Sequence, residues 1–228
     1  MTPWRVVVTR EAGLNDPLRT LLSTSFVVDE VPLTVTLFEE HELVDQRLRA
    51  SAGYGHFASF VVTSRRTEKY LSLCADAVAP TCEVFTVGET TASSLKQAGF
   101  TVTRSTDEGV LSLAPSISKG PVLLLGARHP FGDLAAALRP RHDVTAVACY
   151  ETVAASLTEE SESVLAEADA IVIAAPSAWA VAQPFVRPTT WVVVPGDSTR
   201  QAVEASHQRV VRAWGPAMVS TLRELRDH

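Results

Sequence analysis

Two short turns constrain this chain more than any other feature. The first reads Val87-Gly88-Glu89-Thr90-Thr91-Ala92, and the second reads Pro195-Gly196-Asp197-Ser198-Thr199-Arg200. Each follows an apolar run, VFTV or WVVV, and each opens a helical pattern. Gly88 and Gly196 lie 108 positions apart. A Gly-acid-hydroxyl-Thr order repeated at the end of a β-rich run implies one structural unit used twice.

The surrounding chain alternates in the same manner. Apolar β-branched runs predict strands at Arg5–Thr9, Phe26–Val31, Ser59–Thr63, Val84–Val87, Phe100–Thr103, Pro121–Leu125, Asp143–Ala148, Ala170–Ala174, Thr190–Val194 and Arg209–Arg212. Helical spacing predicts helices at Asn15–Ser23, Glu40–Ser51, Arg65–Leu73, Thr90–Ala98, Pro130–Leu138, Thr158–Ala166, Pro176–Ala182, Ser198–Ser206 and Pro216–Arg226, with a short one near Gly109–Leu113. Pro32–Phe38 and Cys149–Ala155 read as extended connectors. Strict alternation means parallel sheets with helices on both faces.

The order of the repeats is informative. FVVTS at Phe60 matches IVIAA at Ile171, and VVVTR at Val6 matches VLLLG at Val122. The strands at Val122 and Asp143 come last in the inner copy, yet their counterparts at Val6 and Phe26 come first in the chain. One copy is therefore inserted in the other. The fold expected is α/β: two similar five-stranded, parallel, doubly wound (flavodoxin-like) domains joined by a two-stranded extended linker. Residues 1–33 and 154–228 form the first, discontinuous domain, 38–149 the inserted one, and 34–37 and 150–153 the hinge linkers.

In open parallel sheets, ligands bind beyond the carboxyl ends of the strands. Those ends here carry Arg10, Ser64, Arg65, Gly88, Thr90, Thr91, Arg128, Ser177, Gly196, Ser198 and Thr199. Free N–H groups of the first helical turns favour anions at the same points. This set is the candidate binding site, suited to carboxylates or phosphates. Each hydroxyl also serves as an ordinary helix cap. Glu89 and Asp197 are expected to point away from an acidic ligand. The acidic pairs Glu39-Glu40 and Glu159-Glu160 read as solvated helix ends.

Charge and motifs exclude several classes. With 20 Lys+Arg against 26 Asp+Glu, the net charge of −6 argues against a nucleic-acid partner. No apolar run approaches the roughly 18 residues of a membrane span, and the first residues show no signal-peptide pattern. Three cysteines, without a C-x-x-C pair, fit a reducing cytoplasm and buried thiols. There is no P-loop, no G-x-G-x-x-G after the first strand, no G-x-S-x-G elbow and no metal-ligand spacing. An enzyme of this kind works without a cofactor or metal, by positioning.

The chain resembles the uroporphyrinogen-III synthase family. The resemblance rests on VVVTR, FVVTS, VFTVGETTASSLKQAGF, ACYETV, AAPSAW and VVVPGDSTRQAV, spread along nearly the whole length. It departs from the family pattern at Glu89 and Asp197, where Pro is usual, and at Ala174-Ala175, where Thr-Ser is usual. The resemblance implies a cytoplasmic, cofactor-free lyase of tetrapyrrole biosynthesis. Its substrate would be hydroxymethylbilane, a linear tetrapyrrole and polycarboxylate. Loss of water, a spiro intermediate and inversion of ring D would give uroporphyrinogen III. The resemblance also implies a monomer, with contact to the preceding pathway enzyme allowed. Tyr150 matches a connector tyrosine of the family and is the candidate catalytic acid, since a phenol is protonated at neutral pH and can donate a proton. Ser177, Ser198 and Thr199 match family positions near substrate. The alternative is a non-catalytic two-lobed paralogue that binds an acidic tetrapyrrole or another small anion as a sensor.

Overall fold

The computed structural model describes residues 3–51, 56–130 and 132–227. In chain order the elements begin with β1 (Arg5–Val8), α1 (Asp16–Leu22), β2 (Val27–Glu30), β3 (Thr34–Phe38), α2 (His41–Ser51) and β4 (Phe57–Val62). A 3₁₀ stretch (Arg65–Tyr70) leads into α3 (Leu71–Cys74), followed by β5 (Val78–Val87), α4 (Glu89–Gln97) and β6 (Val102–Thr106). A second 3₁₀ stretch (Val110–Ser116) precedes β7 (Val122–Ala127), α5 (Leu134–Leu138) and β8 (Val144–Ala154). Then come α6 (Glu159–Glu167), β9 (Ala170–Val172), α7 (Pro176–Ala182), β10 (Trp191–Val194), α8 (Asp197–Glu204), β11 (Val210–Arg212) and α9 (Ala217–Asp227).

The chain divides into two units. One holds Met1–Thr36 and Val153–His228, and the other holds Leu37–Thr152. The first has a five-stranded sheet in the order β11-β10-β9-β1-β2, and the strands of each neighbouring pair run parallel. Both faces are covered, so the consecutive residues Val6, Val7 and Val8 of β1 are all inaccessible. Val6 and Val8 pack toward Leu18, Leu22 and Leu222 of α1 and α9. Val7, between them, packs on the other face with Leu165, Trp179 and Val203 of α6, α7 and α8. This is the period-two alternation of a strand with a hydrophobic layer on each side.

The second unit repeats the plan. Phe60 and Val62 of β4 join one core with Leu123, Leu125 and Leu95, while Val61 joins the other with Leu124, Leu113 and Leu138. Its sheet corrects the expectation of five strands. The order is β3-β8-β7-β4-β5-β6, six strands in all. The sixth strand is β3, from the Pro32–Phe38 connector, and it is hydrogen-bonded to β8, which carries the other connector. Likewise β8 does not stop at Ala148 but runs on through Cys149–Ala154. Alternation records burial of side chains and says nothing about which backbone groups an extended connector will pair with.

The other local differences are of two kinds. The helix expected over Arg65–Leu73 is 3₁₀ as far as Tyr70 and α-helical only over Leu71–Cys74. The helix expected from Pro130 starts at Leu134, capped by Asp133, whose carboxylate accepts from the Ala136 N–H at 2.8 Å. Thr158 caps α6 by accepting from the Ser161 N–H at 3.2 Å, with Glu159, Glu160 and Glu162 in the first turn. Acids at that end complement the helix dipole.

Candidate functional site

The two Gly-acid-hydroxyl-Thr turns both end a buried strand and start a helix, as their sequences suggest. Their backbones differ. Gly88 sits at φ +80, ψ 140, a left-handed conformation that favours glycine. Its N–H donates to the Thr106 carbonyl at 2.9 Å, and its carbonyl accepts from Thr91 and Ala92. Gly196 is extended, at φ −155 and ψ 173, and its carbonyl accepts from Arg200 at 3.0 Å. A Cβ at either position meets nothing within 4 Å. The hydroxyl positions do correspond. Thr90 and Ser198 are exposed, whereas Thr91 and Thr199 are buried.

Both acids are held by cations. Asp197 lies 3.2 Å from Arg212 Nη1 on β11, and Glu89 lies 3.7 Å from Lys96 Nζ. Such exposed pairs contribute little stability, yet they offset the charge that each acid places beside the helix start.

In the first unit, Arg10 turns back on its own loop and donates through Nη1 to the Leu14 carbonyl at 3.0 Å. Asn15 braces that loop: its Oδ1 accepts from the Arg10 N–H at 3.0 Å, and its Nδ2 donates to the Arg10 carbonyl at 2.7 Å. Ser177 is exposed in the first turn of α7, after Pro176. Proline suits that position because the amide it lacks has no helical partner.

The second unit gathers more charge. Ser64 caps the 3₁₀ stretch, its hydroxyl accepting from the Arg66 N–H at 3.2 Å. Arg65 is exposed. Tyr150 on β8 is only 6% exposed and belongs to the core. The Arg66 guanidinium lies 5.8 Å from the centre of its ring, and Phe38 packs at 6.5 Å. Among the described residues no hydrogen bond reaches the Tyr150 hydroxyl, and no polar side-chain atom is both fully buried and unpartnered. The hydroxyl therefore keeps an opening to solvent while the ring is packed.

Arg128 follows β7. Its guanidinium is engaged by Glu39 and lies 3.6 Å from Glu151, while its N–H donates to the Tyr150 carbonyl at 2.7 Å. Glu39 corrects the reading of a solvated helix end: its side chain is 11% exposed and contacts both Arg128 and Arg47. A buried carboxylate needs such partners. Beneath it, Tyr70 is fully buried and its hydroxyl donates to the Glu39 carbonyl. Burial pushes the Tyr70 phenol up to about 12, with a further rise from Cys149 and Glu39 nearby.

The sequence pattern placed Ser64 and Arg128 at the carboxyl ends of β4 and β7, where they lie, but it put Tyr150 in a hinge linker, whereas Tyr150 lies inside β8 and in the core of the second unit. It chose Arg65 over its neighbour Arg66, and it missed Glu39, Arg47 and Glu151. Adjacent arginines give no local signal as to which one turns toward a ring. Glu39 and Arg128 are 89 positions apart, so their pairing has no sequence signature. Among the described residues there is no group of three or more His, Cys, Asp or Glu able to hold a metal. No helix among them is long and apolar enough to cross a membrane.

These features define a class first: a mostly parallel α/β protein of two units, one drawn from both ends of the chain, with hydroxyls and arginines at the carboxyl ends of its strands. The family model described as uroporphyrinogen-III synthase HemD matches residues 18–221, and the chain belongs to the uroporphyrinogen-III synthase family. A search of curated protein sequences gives no match. Solved structures of similar fold include a mutant uroporphyrinogen III synthase from the extremely thermophilic bacterium Thermus thermophilus. It is 18% identical with a TM-score of 0.69, and the alignment covers 98% of each chain. Another is uroporphyrinogen-III synthetase from Helicobacter pylori, 16% identical with a TM-score of 0.62, covering 98% of this chain and 99% of that one.

Proposed function

We propose that this chain is a uroporphyrinogen-III synthase: a hydro-lyase that closes hydroxymethylbilane with inversion of ring D, using no cofactor. The observation that carries the reading is the family match over residues 18–221. The chemistry asks for little covalent work. Once the terminal hydroxyl departs, the resulting azafulvene is electrophilic, and ring D attacks through its substituted carbon to give a spiro intermediate. Fragmentation and reclosure leave the ring inverted. Unassisted closure gives the other isomer, so the protein must select one folded form of the substrate. That is catalysis by orientation.

The residues suit these tasks. In the proposal, Tyr150 protonates the departing hydroxide, and its open hydroxyl and packed ring support that role. The Arg66 guanidinium, 5.8 Å from the ring centre, helps to hold that ring in place. Thr90, Ser177 and Ser198, with the first-turn N–H groups beside Gly88 and Gly196, grip acetate and propionate side chains. Arg10, Ser64, Arg65, Arg128, Thr91 and Thr199 complete the proposed set. Thr91 and Thr199 are buried, so they support the turns from beneath. Arg128 exchanges Glu151, 3.6 Å from its Nε, for a substrate carboxylate and keeps its contact with Glu39.

Both units are read as flavodoxin-like. The first has the strand order second-first-third-fourth-fifth of that topology. The proposal keeps residues 34–37 and 150–153 as the hinge, residues 1–33 with 154–228 and 38–149 as its domains, and a cytoplasmic monomer as the working form.

Supplying hydroxymethylbilane and separating the product isomers tests the function. The expected result is an excess of the type III isomer that grows with enzyme concentration. A type I to type III ratio equal to that without protein would overturn it.

A further inference from the structure

Three consecutive carbonyls of β8 are each held by a different donor of the same unit. Arg47 Nη1 donates to the Ala148 carbonyl at 3.1 Å. The Glu39 N–H donates to the Cys149 carbonyl at 3.0 Å, and the Arg128 N–H donates to the Tyr150 carbonyl at 2.7 Å. The register between β7 and β8 shifts at this point. Gly126 stands opposite Ala148, but the next residue, Ala127, stands opposite Tyr150. Cys149 is the extra residue of a β-bulge.

A bulge re-aims side chains and is common beside active sites. Its effect here is visible in the packing. In a regular strand Cys149 and Tyr150 would face opposite sides of the sheet. Instead Val147, Cys149 and Tyr150 all enter the same core cluster. The bulge brings the Tyr150 ring to this face, beneath the Arg66 guanidinium.

One carboxylate ties the donors together. Glu39 contacts Arg128 Nη2 and lies 3.6 Å from Arg47 Nη1. Its own N–H holds the middle carbonyl, and its own carbonyl accepts from buried Tyr70. Both arginines that flank the bulge are thus referred to a single residue, itself anchored to the core. No other side chain touches both flanking donors among the described residues.

We propose that Glu39 is the positioning residue for Tyr150: by joining Arg47 and Arg128 across the bulge, it fixes the direction of the phenol. The proposal rests on the reading of Tyr150 as the proton donor, and its test separates the two. Glu39→Gln keeps the backbone bonds and the shape of the side chain but removes the charge that holds both arginines. The protein is labelled with 3-fluorotyrosine. It has three tyrosines, and Tyr150→Phe assigns the Tyr150 resonance. In Glu39→Gln that ¹⁹F resonance is expected to shift or broaden. Turnover (kcat) is expected to fall about tenfold or more with KM within about twofold, as for small misplacements of a reacting group. Placed in a Tyr150→Phe background, Glu39→Gln should cost no more than about twofold, because the two act as one unit.

A Tyr150 resonance that stays in place overturns the proposal, whatever the turnover. A resonance that moves while kcat is unchanged supports the positioning and removes Tyr150 from the reaction, which is a failure of the functional reading alone. Should Glu39→Gln not fold, Arg47→Met, which frees the Ala148 carbonyl and keeps an apolar stem, is judged by the same resonance.

Discussion

Gly88→Ala and Gly196→Ala should have opposite effects on stability, although the two turns look alike in sequence. Gly88 has φ +80 and Gly196 has φ −155. A Cβ meets no atom within 4 Å at either site, so steric crowding by neighbours is absent from both. What remains is the backbone. An alanine forced into the left-handed region costs about 1–3 kcal/mol. Relaxing out of it would disturb the bonds that Gly88 makes to Thr106, Thr91 and Ala92, two of which start α4. At Gly196 alanine adopts the native angles freely. There the main effect is a stiffer unfolded chain, stabilising by about 0.4–1 kcal/mol. That stiffening is common to both variants, so they should differ by the backbone strain alone, about 1–3 kcal/mol. Urea unfolding followed by circular dichroism measures this, with fits that allow each unit its own transition. At a urea sensitivity of about 1–3 kcal/mol per molar, a difference of about 2 kcal/mol separates the two midpoints by roughly 0.7–2 M, with Gly88→Ala the lower. Equal shifts for both variants, or a stabilised Gly88→Ala, would refute the reasoning.

Other expectations follow from the buried ionisable groups and the site. Burial raises the Tyr70 phenol from 10.0 to about 12 and the Cys149 thiol from 9.0 to about 12, and it raises Cys74 as well. In each case the unfolded chain ionises first, so stability is constant below about pH 8 and declines as pH rises toward about 12. Urea midpoints that do not fall between about pH 8 and about pH 10.5 would contradict this. Cys74 and Cys149 are fully buried and Cys82 is half-buried. A thiol reagent at about pH 8 should modify at most one cysteine in the native protein and all three in urea, counted by mass spectrometry. Rapid native modification of two or more would show that this core opens. Tyr150→Phe should lower kcat about tenfold to a hundredfold with little change in the unfolding midpoint; wild-type turnover would return Tyr150 to packing.

Much of the architecture was legible in the chain. Alternating β-branched runs and amphipathic spacings require a parallel α/β fold, because only helices on both faces can cover strands that are apolar throughout. The permuted order of the repeats also survives. The first sheet runs β2-β1-β9-β10-β11, and the five strands β8-β7-β4-β5-β6 repeat that order with the expected pairs matched: β7 with β1, β8 with β2, and β4 with β9. These features are local, or are comparisons between local patterns, so the sequence carries them directly.

Tertiary structure decided the rest. It gave Gly88 and Gly196 different backbone angles at the same apparent motif, because φ depends on what the following helix and the neighbouring strand require. It made β3 the sixth strand of the second sheet, and it put a bulge at Cys149 that turns Tyr150 into the core. It chose Arg66, not Arg65, to cover that ring, and it drew Glu39 from a presumed solvated end into contact with Arg47 and Arg128. Each of these is settled by a partner far away along the chain. Hydrophobic periodicity specifies which face of an element is buried, and the single partner of a carboxylate or a carbonyl is fixed only when distant segments are packed at ångström range.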